Sequence, residues 1–573
     1  MDNNEIANII EEIGELLEIE GESPFRIRAY RRAGEVIRGL PQDIKELDTE
    51  GRLTAITGVG QGIADRIHEL LSTGKMTYFE ELKSRVPESL AQLVQVPGLG
   101  PKKAKLVYDS LGIETLDQLK KAVAEKKLRN LPGLGAKTEE NIARGIRRHE
   151  EQTGRLLLNQ AVPAADKVVD YMKALASVKM IDVAGSLRRR QETIGDIDIL
   201  CATNAKEEAV ERFCEYPEIS SVLAKGPTKC SILLKNGLQI DLRLVRPDEY
   251  GSALQYFTGS KAHNIKLREL AKKKGLRLSE YGAFDIQTGG RLAAATEEEI
   301  YNLLGLDWID PVLREDRGEI EAAAAHKLPD LIEPADIKGD LHTHTQASDG
   351  QSSMLEMAES ARALGYSYLA ISDHAFKLRV AGGLAPDAWR AEWKKLAELN
   401  RRWDDFTLLR GVELNIDNEG AVDFPDDFLA EFDVVTASIH SGFNQDKHRL
   451  TERMVKAIAN PRIHVIGHPT ARILGRRPPY QIDLPLVFKA ATAHKTALEL
   501  NAFPDRLDLR DDYLIEAKKA GCRFAINTDA HHSGQLSHMR YGIATARRAW
   551  LSADDIINTY PLAKLKKVLS FTK

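Results

Sequence analysis

A chain of 573 residues exceeds what one hydrophobic core can hold, and three or four domains are expected. Its 43% hydrophobic and 29% charged residues suit a globular protein, and no apolar run approaches the roughly 18 residues of a membrane span. The net charge of −5 excludes a uniformly basic nucleic-acid binder but is unevenly spread: residues 101–148 hold 12 Lys/Arg against 6 acids, and 261–277 hold seven Lys/Arg and one acid.

The opening stretch, MDNNEIANIIEEIGELLEIEGESPF, is acidic and amphipathic, unlike a signal or transit peptide. Periodic Leu, Ile and Ala predict a wholly helical segment over 1–150. Three turns in it are alike: TGVGQGIADRI (57–67), PGLGPKKAKLV (97–107) and PGLGAKTEENI (132–142). The first glycine of each (Gly58, Gly98, Gly133) permits a left-handed turn, and the second (Gly60, Gly100, Gly135) clears the N-terminus of the next helix. Exposed N–H groups and the helix dipole make such an end an anion site, and a DNA phosphodiester is its natural, sequence-independent guest. One such turn is usually a mere helix connection; three in one helical segment resemble helix-hairpin-helix DNA-binding motifs.

Residues 151–255 change to strand-like runs: MIDVAGS, DIDILCA and SILLKNGLQIDLRLV, the last a hairpin around Asn236-Gly237. Alternation puts Asp196 and Asp198 on one strand face, where like charges repel unless a cation such as Mg²⁺ lies between them. Asp241 stands between Ile240 and Leu242, a costly place for an unused carboxylate. Together the three suit two metals, one activating an attacking hydroxyl and one neutralising a triphosphate and its leaving pyrophosphate. Gly185 and Ser186 precede a helix N-terminus fit for β/γ-phosphates, and Arg189 adds a fork of donors. A lone D-x-D would be a solvated strand edge; joined to G-S, an arginine run and a later strand aspartate it is much more specific.

Residues 256–315 return to mixed helix and short strand, and 316–337, acidic, Ala-rich and Pro-punctuated, read as a linker with room for one helix. From 338 onward, strand runs alternate with helical segments, the rhythm of an α/β barrel or a doubly wound sheet. In GDLHTHTQASDG (339–350), His342 and His344 alternate onto one face and Asp349 follows. Further donors end later runs: His374, Glu413, His440, His468, Asp529 and His531. Any one of the histidines is more often an ordinary hydrogen-bonded ring than a ligand. Nine donors at strand ends converge on one barrel mouth and exceed what one tetrahedral ion needs. Two or three ions follow, with Mn²⁺, Zn²⁺ or Fe²⁺ suiting the ligands, and the chemistry is phosphoester hydrolysis. The four scattered cysteines lack CxxC spacing and fit free thiols in a reducing cytoplasm.

GSLRRRQETIGDIDIL (185–200), QIDLRLV and YFTGSKAHN (256–264) closely resemble the palm and thumb of family X DNA polymerases, the DNA polymerase beta group, over roughly the first 315 residues. The resemblance implies Asp196, Asp198 and Asp241 as the catalytic carboxylates. It implies Gly185, Ser186, Arg189 and Gly195 on the triphosphate, and Tyr256, Phe257 and Gly259 along the sugar. Asn264 and Arg268 would touch the nascent pair or template, and Arg26, Arg28 and Tyr30 a downstream 5′-phosphate. The chain departs from the pattern at Arg66, where the family's lyases place a Schiff-base lysine. Arginine stays protonated, so no strong deoxyribose-phosphate lyase activity is expected by that route. Gln239 replaces a frequent arginine beside Asp241, and Lys261 the usual aspartate at the incoming base.

The set HxHxxxxD, DH, GVE, SIH, GHP and DAHH over 338–573 resembles the polymerase and histidinol phosphatase (PHP) domain, with Arg472 implied on a substrate phosphate and His532 as an outer neighbour. The expected architecture is therefore multidomain. An all-α helix-hairpin-helix N-terminal domain (1–150) precedes an α+β nucleotidyltransferase palm (151–255) with thumb (256–315), the linker (316–337) and a C-terminal distorted (β/α)7 PHP barrel (338–573). The expected function is gap filling with dNTPs on gapped or primer-template DNA in base excision repair, by a monomer in the cytoplasm (nucleoid). Mg²⁺ would serve the palm. Mn²⁺ or Zn²⁺, two to three ions, would serve a 3′–5′ exonuclease in the barrel, with abasic-site endonuclease or 3′-phosphatase activity beside it. The alternatives are a small-molecule phosphoesterase fused to a DNA-binding module, or a barrel with only a structural role.

Overall fold

The computed structural model describes residues 3–38, 43–56, 58–86, 90, 93–94, 96, 98–152, 155–378 and 381–570. They form two compact units, residues 1–153 with 473–478, and 154–472 with 479–573. Among the described residues, no helix is long and apolar enough to cross a membrane.

Residues 3–152 of the first unit are helical among the described residues, as the periodicity requires. Ile6, Ile10, Ile13 and Leu17 recur at helical spacing on helix Asn3–Glu20 and bury that face. In the three glycine turns Gly58, Gly98 and Gly133 all have positive φ, and helices Gln61–Thr73, Pro101–Leu111 and Ala136–Gln152 follow. Gly60 and Gly100 cap the first two of these helices. Thr57 and Pro97, which open two of the turns, lie outside the described residues.

The second unit begins with a five-stranded sheet ordered Val178–Val183, Asp196–Thr203, Gln239–Val245, Lys229–Leu234, Ile219–Lys225. The Asn236-Gly237 hairpin joins two of them, with Gly237 in the left-handed region. Strands Asp196–Thr203 and Gln239–Val245 run parallel in a register that sets Asp198 directly beside Asp241. The sheet thus makes neighbours of two carboxylates 43 positions apart in the chain. Helices Tyr250–Thr258 and Lys261–Lys273, a three-stranded sheet and helix Glu297–Leu303 follow, where the thumb is expected.

The segment expected as a linker carries one helix, Glu319–Ala324, and is tied down along its length. Ile320 and Ala323 join the thumb core beside Leu267, Tyr301 and Ile309, while Ile332 and Ile337 enter the barrel core. Leu328 and Leu331 pack against the first of these cores as well, so the acidic, Ala-rich composition hides six apolar anchors. Seven parallel strands then follow in chain order from Gly339–Thr343 to Phe524–Asn527. A bridge between Thr343 and Ala530, with His344 donating its N–H to the Ala530 carbonyl at 2.8 Å, nearly closes the ring. Parallel strands bring all C-terminal ends to one rim, where a barrel places its reactive side chains.

Candidate active sites

Asp196, Asp198 and Asp241 come together, with one oxygen of each within 4.8 Å of the others. Asp241 is 4% exposed, whereas Asp196 faces solvent. Burial pushes the Asp198 carboxyl up to about 6, reinforced by the charges of Asp196 and Asp241. Burial would raise Asp241 too, but hydrogen bonds from Lys229, Gln239 and Ser231 hold it below the ordinary range. Lys229 Nζ lies 2.6 Å from Asp241 Oδ2, and Gln239 donates to Oδ1 at 2.9 Å. The cation missing at position 239 is therefore supplied from the neighbouring strand, a partner the motif could not reveal. Gly185, at φ +57°, lies so close to Asp198 Oδ2 that a Cβ would collide with it. A carboxylate trio of this kind suits hard cations with oxygen ligands.

Around the trio, Gly185 and Ser186 open the one-turn helix Gly185–Arg188. Arg189 donates from Nη1 to the Thr258 carbonyl at 2.6 Å and from Nε to Glu315 at 3.0 Å, so it is already fixed beside the segment Tyr256–Gly259. The Tyr256 and Phe257 rings meet edge-on at 5.2 Å. Asn264 donates to the Tyr256 carbonyl at 2.7 Å and accepts from Gln255 at 2.8 Å, pinning that helix end. Arg155 braces the approach to Gly195, donating to the Thr193 carbonyl at 2.6 Å. Lys261, Ile265 and Arg268 share an exposed helical face.

In the barrel, all nine expected donors converge. Glu413 sits at the centre: Oε2 is 2.9 Å from His374 Nδ1 and 3.5 Å from His342 Nε2, and Oε1 is 3.1 Å from both His440 Nε2 and His468 Nε2. Asp529 Oδ1 lies 3.1 Å from His344 Nε2, and Asp349 lies 3.4 Å from both His374 Nε2 and His531 Nε2. Three groups have donor atoms close enough for shared ions: His344, Asp349, His374 and His531; His342, His344 and Asp529; His374, Glu413 and His440. His342 Nε2, His344 Nε2 and His374 Nδ1 are buried against carboxylate oxygens in ion-pair rather than hydrogen-bond geometry, and Nδ1 of His440 and of His468 is buried without a hydrogen-bond partner. That arrangement is costly for polar atoms unless a cation takes their lone pairs, so the residues fit a multi-metal centre. Burial lowers His374 and His531, but Glu413 and Asp349 outweigh it and push these rings up to about 10 and about 9. Burial and the charges of His531 and His374 push His344 down to about 4. The negative charge that lifts two of the rings is what divalent cations would neutralise. His468 and Asp529 have φ of +26° and +53°, unusual for side-chain-bearing residues and common at functional sites. Gly350 ends the opening turn where a Cβ would lie 2.7 Å from the His344 backbone.

Sequence reasoning missed a supporting layer. His342 Nδ1 is 2.7 Å from Glu499 Oε1, and Glu499 also accepts from Asn527, Asn501 and the His468 N–H. Asp373 fastens Thr345 and Ser348, and Asp340 fastens Thr528. His532 caps the turn Ser533–His538 by accepting from the Gly534 N–H at 3.1 Å. Arg472, expected on a substrate phosphate, has protein partners in the structure. It is 4% exposed and bonds Glu192 at 2.7 Å and the Leu507 carbonyl, a tie that the motif did not indicate. Ala471, at φ +47°, is part of the turn that follows His468.

In the first unit, Arg66 bonds the Tyr30 hydroxyl and lies 3.8 Å over the Tyr78 ring. Arg26 donates to the Tyr78 hydroxyl at 2.9 Å, and Arg28 stacks on Phe25 at 4.8 Å. Arg26 and Arg28 are exposed while Tyr30 is buried, so the arginines face solvent on an aromatic support.

The comparisons with known proteins agree with this layout. Residues 1–76 match a helix-hairpin-helix domain, 90–148 a SAM-like helix-hairpin-helix tandem, 253–315 the DNA polymerase beta thumb and 340–502 the PHP domain. The DNA polymerase/3′-5′ exonuclease PolX of Bacillus subtilis is 38% identical over 575 residues, covering 100% of both chains. The chain belongs to the family X DNA polymerases that carry a C-terminal PHP domain. Each half of this PolX homologue has relatives of its own. DNA polymerase lambda of Arabidopsis thaliana is 28% identical over 53% of this chain and 61% of its own length. A "Probable phosphatase" of Thermoanaerobacter is 31% identical over 41% of this chain and 95% of its own.

Proposed function

We propose that this chain fills short gaps in duplex DNA during base excision repair and trims 3′ ends with its barrel. One observation carries the reading: a carboxylate trio beside an arginine-lined turn, and a cluster of eight donors with His468 3.1 Å from its Glu413, stand in one compact unit. Gapped or primer-template DNA and dNTPs are the substrates. We assign Mg²⁺ to Asp196, Asp198 and Asp241, and two to three ions, Mn²⁺ or Zn²⁺, to His342, His344, Asp349, His374, Glu413, His440, His468, Asp529 and His531. Bound, such ions activate a hydroxyl or water and offset charge on the phosphoryl group.

The chain's own residues do the rest. The Gly185-Ser186 turn offers N–H donors to a triphosphate, and the free edge of Arg189 faces the same phosphates. The segment Tyr256–Gly259, pinned by Asn264, sets the wall against which a ribose 2′-hydroxyl would press. Arg268 contacts the nascent pair or template, Arg26 and Arg28 with Tyr30 a downstream 5′-phosphate, and the glycine turns at Gly58–Gly60, Gly98–Gly100 and Gly133–Gly135 the DNA backbone. In the barrel Glu499 holds the His342 ring so that its other nitrogen faces the centre.

A gapped, 5′-labelled primer should lengthen with dNTPs and Mg²⁺, and shorten with Mn²⁺ alone; a primer unchanged under both conditions would reject the reading. Similarity to a phosphatase supports a second reading of the barrel, in which abasic ends, 3′-phosphates or free phosphomonoesters are hydrolysed. Turnover of free phosphomonoesters faster than DNA ends would make that reading the better one.

A further inference from the structure

The palm loop that follows the G-S turn, Arg189–Glu192, is held at both ends by the barrel. At one end Arg548, the last residue of helix Met539–Arg548, donates from Nη1 to the Arg189 carbonyl at 2.7 Å and to Glu315 Oε1 at 3.0 Å. The same Glu315 oxygen accepts from Arg189 Nε at 3.0 Å and from Gln191 Nε2 at 2.7 Å. Arg548 Nη2 is meanwhile held by Asp511 at 2.7 Å, and Asp511 also takes Arg317 at 2.9 Å. At the other end Arg472 grips Glu192. Arg548 is 4% exposed against Glu315 at 14% and Asp511 at 12%, a buried junction and not a loose surface pair, whereas Glu192 opposite Arg472 is 32% exposed.

The geometry points to Arg548 as a positioning residue for the polymerase reaction: through Glu315 and the Arg189 carbonyl, the barrel's helix fixes the guanidinium that meets the incoming triphosphate. This rests on the reading of Arg189 as a phosphate contact. Three features favour it over a generic domain contact. Arg548 touches both the backbone of Arg189 and the carboxylate that orients its side chain. Arg189 Nε and Nη1 are occupied by Glu315 and the Thr258 carbonyl, so its orientation is set before substrate arrives. Helix Met539–Arg548 also begins directly after the turn that follows Asp529 and His531, which connects the junction to the metal cluster through rigid elements.

The test uses full-length protein on gapped DNA and measures kcat and KM for dTTP. Arg548→Ala should raise KM about tenfold, within the usual range of coupling between sites, with kcat changed less than about threefold. Its Mn²⁺-dependent nuclease should match wild type, which also shows that the barrel is folded. Glu315→Gln keeps the shape of the junction and should shift KM in the same direction, so it decides the matter if Arg548→Ala fails to fold. Arg189→Ala should raise KM at least as much, and adding Arg548→Ala to it should cost little more. If Arg189→Ala raises KM while Arg548→Ala and Glu315→Gln leave it unchanged, the positioning role is overturned and the phosphate contact stands. If Arg189→Ala itself leaves KM unchanged, the phosphate contact is wrong and the positioning role falls with it.

Discussion

The palm and barrel sites solve one problem, holding divalent cations against a phosphoryl group, with opposite degrees of preparation. The palm offers three carboxylates, one of them solvent-facing, and shares Asp241 with a lysine that is 37% exposed. The barrel offers nine donors around a Glu413 side chain that is 1% exposed, with buried ring nitrogens set against carboxylates in ion-pair geometry. An open carboxylate site suits ions that arrive and leave with a triphosphate, whereas a buried imidazole-rich site suits resident ions.

The largest effect expected from a single change lies in the palm. Asp198→Ala removes the middle carboxylate of the trio and should lower primer extension by at least about 10³-fold, with nuclease activity kept, as measured by single-turnover extension. Metal removal should then separate the sites by rate. After brief chelation and desalting, elemental analysis should find ions still in the barrel, while extension should depend wholly on added Mg²⁺. Equal loss from both sites would erase the contrast. Glu499→Gln keeps the hydrogen-bonding shape but weakens the support of His342. It should lower barrel metal affinity about 10- to 100-fold in a metal titration and leave extension untouched. The smallest effect belongs to Lys229→Ala. Removing a partly exposed cation from Asp241 should lower the Mg²⁺ needed for half-maximal extension by no more than about fivefold. A rise in that requirement would mean that Lys229 assists the site and does not compete with the ion.

Much of both sites was legible because alternation along a strand is a local rule. His342 with His344, and Asp196 with Asp198, could be placed on common faces from spacing alone. The strand-end pattern then gathered Glu413, His440, His468 and Asp529 without coordinates. Glu499 was missed although ALELN repeats the signal of GVELN, a carboxylate inside an apolar strand; it lacked only a motif name. Lys229 was not legible, because its reach to Asp241 depends on an antiparallel register that pairs Ser231 with Asp241. The tie from Arg472 to Glu192 was not legible for a related reason: it joins residues 280 positions apart, and no local motif records it. The packed course of 316–337 and the junction at Arg548 depend on surfaces meeting across hundreds of positions, which no local periodicity encodes.

The central claim is that one chain carries two separable metal-dependent sites acting on one DNA end. Its most direct test is a cross of two variants on a gapped, 5′-labelled primer, with dNTPs and Mg²⁺ in one arm and Mn²⁺ alone in the other. Asp196→Ala with Asp198→Ala should abolish lengthening and spare shortening, and His344→Ala should do the reverse. Loss of both activities in either variant, or shortening that survives His344→Ala, would contradict the account.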